Sequence, residues 1–303
     1  MVLLRLLKAY ISYIRSLMKI IKFENANKYY RKVESYLLQD EAAHCLFIGL
    51  SKALCNSQSK HEYFPYLVAV EHNGVIMATA IRTSPQRRLV LSRSTDVKAV
   101  RLIAKDAAAF ENKSLPGVIG LKFETTTFAR TWHSLTKQDY ELAFAMMIHQ
   151  LETVKPIAKA SGSFRLVETS DRNLITNWIE AFELEALGDS EPKSDPQIWF
   201  EKNLANKSLY VWVDKKIVSM AAFGGATPNG VKINAVYTPP EHRGKGYATS
   251  CVAALSQNLL DISYKYCFLF TDLANPTSNH IYQKIGYQPV HEISNYSFKF
   301  GGH

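Results

Sequence analysis

The chain has 303 residues, which is more than one hydrophobic core usually supports. Because 47% of the residues are hydrophobic and 21% are charged, the composition excludes a disordered protein and favours two globular domains. The net charge is +9, but residues 1–23 hold five basic and no acidic side chains, so the remaining +4 does not indicate a nucleic-acid-binding protein.

Residues 1–23 are basic and apolar, and no small-residue cleavage site follows them, so we do not expect a secretory signal peptide. Three alternatives stay open for this segment. These are a basic amphipathic extension that contacts a membrane, a helix that docks on the rest of the protein, and an upstream tail that precedes a natural start at Met18. The other apolar runs have the length of strands, so no segment is expected to span a membrane.

The cysteines show no spacing typical of a disulfide framework or a zinc site, and the nine histidines are scattered. We therefore expect reduced, mostly buried thiols, a cytoplasmic protein and no bound metal. The four cysteines are Cys45, Cys55, Cys251 and Cys267.

The first half of the chain begins with a mainly helical pattern over residues 25–58. A hairpin is predicted over 66–80, because two apolar strands flank the turn sequence His-Asn-Gly. A helix is expected within 94–110, and the segment "LPGVIG" (115–120) has the composition of a structural turn.

The segment "PIAKASGSF" is small and polar, so we interpret residues 156–163 as a linker between domains at 24–155 and 164–303. The second half also has a hairpin after a mainly helical region, at 209–223, with its turn at Asp-Lys-Lys. This similarity between the halves predicts two tandem copies of one architecture.

The second half alternates strands and helices, which predicts a mixed α/β fold. After a strand at 164–169, Ser170 or Asp171 is expected to cap a helix that ends at Gly188. The other predicted elements are a helix at 196–205, the hairpin at 209–223, a strand at 230–238, a helix at 247–261, a buried strand at 265–272, a helix at 275–286 and a closing strand of the edge type.

The stretch "PPEHRGKGYATS" (239–250) places two glycines and two basic side chains where the helix at 247–261 begins. A helix N-terminus offers unpaired amides and the positive end of the helix dipole, so a phosphate can bind there. Gly244 and Gly246 let the backbone approach such a ligand closely. The spacing matches neither a Walker A loop nor a dinucleotide-binding fingerprint.

The segment "INAVYTPPEHRGKGYA" resembles a signature of the GNAT acetyltransferase superfamily, with Arg243, Gly246 and Ala248 matching Gln/Arg-x-x-Gly-x-Gly/Ala. The helix at 275–286 resembles the second signature, Asn-x-x-(Ala/Ser)-x-x-(Leu/Ile)-Tyr-x-x-x-Gly-(Phe/Tyr). The residues that match it are Asn275, Ser278, Ile281, Tyr282, Gly286 and Tyr287. The resemblance covers about 164–300, and the first half resembles at best a degenerate copy without the glycine turn.

The resemblance implies a splayed central sheet flanked by helices, and acetyl-CoA as co-substrate. Backbone amides at 243–248 would bind the pyrophosphate. The strand at 233–238 would hold the pantetheine and would separate from the strand at 266–271, leaving a slot for the acetyl group. The cofactor-binding residues implied are Val236, Tyr237, Thr238, Arg243, Gly244, Lys245, Gly246, Tyr247, Ala248, Thr249, Asn275, Ser278 and Tyr282.

Tyr282 lies where the family places its general acid, so the resemblance implies that its phenol protonates the departing thiolate. Packing under the last strand is the structural alternative. Many relatives carry a glutamate base on the strand before the turn, but this strand has Asn234 and no acid. Asp272 is the candidate base, with turn formation or helix capping as its structural alternative.

The acidic stretch 180–195 either attracts a cationic amine or is a solvated helix face. We predict an acetyl-CoA-dependent N-acetyltransferase that acetylates a primary amine, of a small molecule or a peptide, by direct attack. Transfer of a longer acyl group, a CoA-binding regulator without turnover and a scaffold that only binds partners remain alternatives. No nucleic-acid partner is expected, and the sequence does not indicate the oligomeric state.

Overall fold

The computed structural model describes residues 18–56, 63–110, 114–187 and 193–299. The chain divides into two compact units, one formed by Met1–Met146 with His291–His303 and the other by Met147–Val290. None of the helices in the described ranges has the length and apolar content needed to cross a membrane.

The first unit places helices on both faces of a sheet. Alternate residues of one strand face opposite sides: Tyr66 and Val68 pack with the third and fourth helices, and Leu67 and Ala69 pack with the first two. Its elements are β1 (Lys19–Lys22), α1 (Ala26–Leu37), α2 (Glu41–Asn56), β2 (Tyr66–His72), β3 (Val75–Arg82), β4 (Leu89–Leu91), α3 (Val97–Phe110), β5 (Gly117–Leu121), α4 (Lys122–Thr136) and the greater part of β6 (Tyr140–Leu151).

The second unit repeats this plan in the strand order β6-β11-β10-β9-β8-β7. Its elements are β7 (Ser163–Leu166), α5 (Arg172–Leu187), α6 (Pro196–Ala205), β8 (Leu209–Asp214), β9 (Lys216–Gly224), β10 (Gly230–Tyr237), α7 (Tyr247–Asp261), β11 (Tyr266–Asp272), α8 (Pro276–Ile285) and β12 (Gln288–Phe298). One core lies under α7 and α8, and a second lies under α5 and α6.

Each half of the chain contributes a strand end to the other unit. Residues 147–151 of β6 belong to the second unit, and residues 291–298 of β12 belong to the first. In the first unit, Ile293 to Ser297 of β12 pair antiparallel with β5, and β12 lies between β5 and β6. The predicted limits 24–155, 156–163 and 164–303 therefore stay a proposal, because both unit boundaries fall inside strands.

The two predicted hairpins are present, and both turns have left-handed backbone at their tips. Asn73 and Gly74 have φ values of +51° and +83° between β2 and β3, and Lys215 has φ +62° between β8 and β9. The predicted fold class, a mixed α/β sheet flanked by helices in two tandem copies, is confirmed.

Two predictions of local structure were wrong. The segment 115–120 is mostly strand β5, because Val118 is a fully buried core residue rather than part of a surface turn. The closing strand is not an edge strand, because β5 and β6 lie on either side of β12. In addition, α5 begins at Arg172 after a 3₁₀ turn (Thr169–Asp171), and its predicted end at Gly188 lies outside the described residues.

Candidate active site

Strands β10 and β11 are parallel at their start and separate toward their C-terminal ends. Over residues 230–237 and 266–272, all of which are described, the pairing ends at Lys232 and Phe268. The register of β10 with β9 shifts between Asn234 and Tyr237, and Ala235 has φ +47°, which is uncommon for a residue with a Cβ. This bulge bends β10 away from β11, so the predicted splay is present.

The loop after β10 leads into α7 through two glycines with left-handed backbone. Gly244 has φ +76° and Gly246 has φ +78°. A Cβ on Gly244 would meet no atom within 4 Å, and one on Gly246 would lie 3.9 Å from the Cβ of Ala160. The backbone is therefore open to a ligand at both positions, and a side chain at either would be strained.

The first turn of α7 presents unpaired amides beside these glycines. The first bond of the helix runs from the Ser250 amide to the Gly246 carbonyl, at 3.0 Å. The amides of Tyr247, Ala248 and Thr249 precede it and have no acceptor in the described part of the chain. Together with the helix dipole, these donors fit a phosphate group.

The Arg243 side chain points toward α5 and not toward the N-terminal end of α7, which we call the helix mouth. Its Nη2 lies 2.7 Å from Glu185 Oε2, and its Nε donates to the Thr238 carbonyl at 2.8 Å. The guanidinium carbon also lies 5.9 Å from the centre of the Tyr237 ring. Backbone amides are therefore the donors best placed for a phosphate, and Arg243 connects the loop to α5.

The rim of the helix mouth carries charged side chains of both signs. The Tyr247 hydroxyl donates to Asp214 Oδ2 at 2.7 Å, and the Ser161 hydroxyl donates to the same oxygen at 2.6 Å. The Lys245 ammonium donates to the Glu241 carbonyl at 3.1 Å. Lys245 is exposed, so its charge adds to the positive end of the helix.

Tyr282 lies on α8 and packs against the core under α7. Its ring makes an edge contact with Tyr287, at 5.9 Å between ring centres, and its hydroxyl has no hydrogen-bond partner within the described ranges. Burial raises the pKa of Tyr282 to about 12, and the nearby Cys251 thiol adds to the rise. The phenol is therefore protonated at neutral pH, which is the form that a general acid requires.

The loop between β11 and α8 holds two other predicted site residues. The exposed Asp272 carboxylate accepts the Ala274 amide at 2.8 Å, and the Asp272 carbonyl accepts the Asn275 amide at 3.0 Å. These are the contacts of a turn residue. The role of Asp272 as a base stays a prediction, and the side chain of Ser278 lies outside the described set.

His149 was missed by the sequence analysis, although a polar residue inside the apolar stretch "AMMIHQL" is a usable signal. It lies on the end of β6 that belongs to the second unit and is 1% exposed. Its Nε2 lies 3.0 Å from the Thr271 hydroxyl, and its ring centre is 6.5 Å from that of Tyr282.

The acidic stretch 180–195 is not a uniformly solvated face. Glu183 is buried and accepts the Ser194 amide at 3.0 Å, while Glu185 is engaged by Arg243. Residues 188–192 lie outside the described ranges. The described part of this stretch therefore serves local structure through at least two of its carboxylates.

The first unit closes the position that corresponds to the helix mouth of α7. At the start of α3, the Asp96 carboxylate accepts the Lys98 amide at 2.8 Å. The buried Glu124 carboxylate accepts the Ser94 amide at 2.7 Å. Two carboxylates thus take the donors that a phosphate would need and would repel its charge.

The comparison with family models also distinguishes the second half of the chain from the first. Residues 212–295 match the family model described as FR47-like protein. No curated protein matches the chain at a significant level.

Solved structures resemble the chain over most of its length. A GNAT-family acetyltransferase from Colwellia psychrerythraea has a TM-score of 0.55 at 11% identity, covering 93% of this chain and 100% of its own. A GCN5-related N-acetyltransferase from Sphaerobacter thermophilus has a TM-score of 0.60 at 13% identity, covering 93% and 95%. A tandem GNAT protein from the clavulanic acid biosynthesis pathway has a TM-score of 0.53 at 11% identity, covering 93% and 98%.

At these identities the likeness concerns the fold. It agrees with the two signatures at the glycine loop and at α8, and with the FR47-like match over residues 212–295. The chain therefore has the fold of the GNAT acetyltransferases, with two tandem units of one architecture, as the sequence predicts.

Proposed function

We propose that the protein is an acetyl-CoA-dependent N-acetyltransferase that acetylates a primary amine. The observation that carries the proposal is the start of α7, where three unpaired amides lie beside two open glycines. This arrangement lies at the mouth of the slot between β10 and β11, on a fold shared with proteins named as N-acetyltransferases.

The residues around the slot suit the parts of the co-substrate. The amides of Tyr247 to Thr249 would hold the pyrophosphate, with Gly244 and Gly246 allowing close approach. The part of β10 beyond Lys232 would hold the pantetheine through its backbone. Its N–H groups are the candidate donors to the oxyanion that forms at the thioester carbonyl.

Acetyl-CoA would supply an activated acyl carbon and a thiol leaving group. The neutral amine attacks that carbon, the carbon–sulfur bond breaks, and the sulfur leaves with the electron pair. Tyr282 donates its hydroxyl proton to the sulfur and afterwards recovers a proton from solvent. The amine releases its extra proton to a base, for which Asp272, directly or through water, is the proposed residue.

We infer that the first unit does not bind CoA, because Asp96 and Glu124 occupy the corresponding helix mouth. We also propose that residues 24–155 form a non-catalytic domain, that residues 156–163 are a linker, and that the protein is cytoplasmic. Membrane contact through residues 1–23 stays open, and those up to residue 17 lie outside the described ranges.

The function is tested by calorimetry with CoA and acetyl-CoA, followed by thiol release from acetyl-CoA with a panel of primary amines. We expect binding of both nucleotides and turnover with at least one amine. Binding without turnover on any amine would favour the CoA-binding regulator. Turnover only with longer acyl-CoA would favour the longer acyl group, and no binding at all would overturn the proposal.

A further inference from the structure

We propose that His149 is a positioning residue, which holds α8 and hence the Tyr282 hydroxyl through a relay of two side chains. The inference deepens the proposed acyl transfer and rests on it. It concerns a residue encoded in the first half of the sequence that belongs to the second unit.

The relay has one consistent direction of hydrogen bonding. The Asn279 side-chain amide donates to the carbonyls of Asn275, at 3.0 Å, and Asp272, at 3.3 Å, which fixes its orientation. Its Oδ1 therefore faces Thr271, whose hydroxyl donates to it at 2.5 Å. Since this hydroxyl has only one proton, His149 Nε2 must be the donor in its 3.0 Å contact with Thr271.

The assignment places the only imidazole proton on Nε2 and leaves a lone pair on Nδ1. That nitrogen is buried and has no partner in the described part of the chain. A charged imidazolium would therefore have a buried N–H without an acceptor, and burial lowers the pKa of His149 below its ordinary value. The neutral Nε2–H form is thus the one that the surroundings stabilise.

The relay ends at the part of α8 that sets the position of Tyr282. The two carbonyls held by Asn279 belong to the turn that starts the helix, and Asn279 precedes Tyr282 by one helical turn. Thr271 and His149 are buried at 4% and 1% exposure, so water does not replace these bonds readily. Loss of the His149 donor would release the start of α8.

The test uses two substitutions of similar length that differ in one donor. His149→Gln keeps an N–H near the Nε2 position, whereas His149→Met does not. We expect His149→Met to lower kcat by about 10- to 100-fold with little change in CoA affinity, and His149→Gln to stay within about threefold of the parent. In a Tyr282→Phe background, His149→Met should have no further effect on kcat, because it acts through Tyr282.

Equal loss of kcat in both variants, or a full additional loss in the Tyr282→Phe background, would overturn the positioning role. A readout independent of turnover is the NMR signal of the Tyr282 ring. Both variants lose the imidazole ring, whose centre is 6.5 Å from that of Tyr282, so the signal should move in both but further in His149→Met, which also loses the donor; equal shifts in the two variants would overturn the role. If no amine is acetylated but these signals behave as expected, the proposed function fails while the relay stands.

Discussion

Two glycines determine what the loop before α7 can accept. Gly246 adopts φ +78°, and the space where its Cβ would lie holds no protein atom closer than 3.9 Å. Gly74, in the turn between β2 and β3, has a similar φ of +83° with nothing within 4 Å. A side chain at either position would therefore be strained and would enter open space, but only Gly246 is followed by a helix.

Gly246→Glu should abolish CoA binding, because a carboxylate would fill the phosphate position and repel the ligand. Gly74→Glu is the matched control, since it introduces the same strain and the same charge away from α7. Calorimetry with CoA measures both variants. Loss of affinity in both, or in neither, would contradict the assignment of the helix mouth as the phosphate site.

Tyr282 and Tyr287 form a second matched pair within one core. The Tyr282 hydroxyl lacks a partner among the described residues, whereas the Tyr287 hydroxyl is 2.8 Å from the Ser256 hydroxyl. Tyr282→Phe should therefore leave stability unchanged and lower kcat by roughly 10²–10⁴-fold. Tyr287→Phe should lower the free energy of unfolding by about 1 kcal/mol and leave kcat near the parent value.

Thermal unfolding and steady-state kinetics on the two variants separate the roles. Because the pKa of Tyr282 is about 12, its acid function should persist to alkaline pH and fall only as pH approaches that value. Unchanged kcat in Tyr282→Phe would remove this phenol from the proposed reaction.

The sequence could identify these site residues because their spacing is local. Gly246 and Tyr282 each belong to a short signature whose members lie on one loop or one helix. His149 belongs to no such signature, since its partners Thr271 and Asn279 are more than 120 positions away. Only the pairing of strands brings the three together.

At the scale of elements, strand β12 is fixed in the first unit by a partly buried hydrogen bond between His291 and Asp40 as well as by its ladder. His291 Nε2 lies 3.1 Å from the Asp40 carboxylate, which also accepts the Ala43 amide and contacts Arg93. Burial alone would raise the pKa of Asp40, but the bonds from His291 and Ala43 outweigh it and lower that pKa to about 2.

Because the folded pKa of Asp40 is depressed, its stabilisation is present above the unfolded pKa and is lost as pH falls through about 2. A depression of this size corresponds to about 2 kcal/mol. Asp40→Asn should therefore lower the free energy of unfolding by roughly that amount at pH 6 and weaken the acid-induced loss of stability below pH 4.

The exposed pair of Asp139 and His133, 3.5 Å apart, provides the control. Asp139→Asn removes the same charge at the surface and should change stability by less than about 0.5 kcal/mol. Urea unfolding between pH 3 and pH 7 distinguishes the two variants. Equal effects would show that the partly buried contacts of Asp40 are not what holds β12.

Element types were largely predictable because turn chemistry and periodicity are local properties. The His-Asn-Gly turn and the "DKK" turn predicted the two hairpins. Helix α7 was predicted with the observed limits, Tyr247–Asp261. The errors arose where tertiary context decides. The short strand β5 resembles a turn in composition, and the neighbours of β12 are set by residues far away in the chain.

For the whole molecule, the exchange of strand ends makes the sequence halves poor domains. A fragment of residues 164–303 would lack the end of β6 and would leave residues 291–299 without their partner β5. We expect it to aggregate or unfold, whereas a fragment of Met147–Val290 contains a whole contact unit and should unfold cooperatively. Circular dichroism and gel filtration of both fragments provide the test.

The opposite result, a cooperative 164–303 fragment and an unfolded 147–290 fragment, would show that the linker rather than the strands marks the boundary. The tandem arrangement itself was predictable, because each half repeats helices, hairpin and helix in the same order. The exchange was not, because no local pattern states which sheet a strand will join.

Strand β12 also has a consequence for synthesis. Residues 291–299 leave the ribosome about 140 positions after the end of β6, so we expect the strands of the first unit to keep a gap between β5 and β6 until the second unit has emerged. During that interval the nascent chain offers an unpaired strand edge to other chains. Slowed translation within the second half should therefore favour aggregation of chains that are already half made.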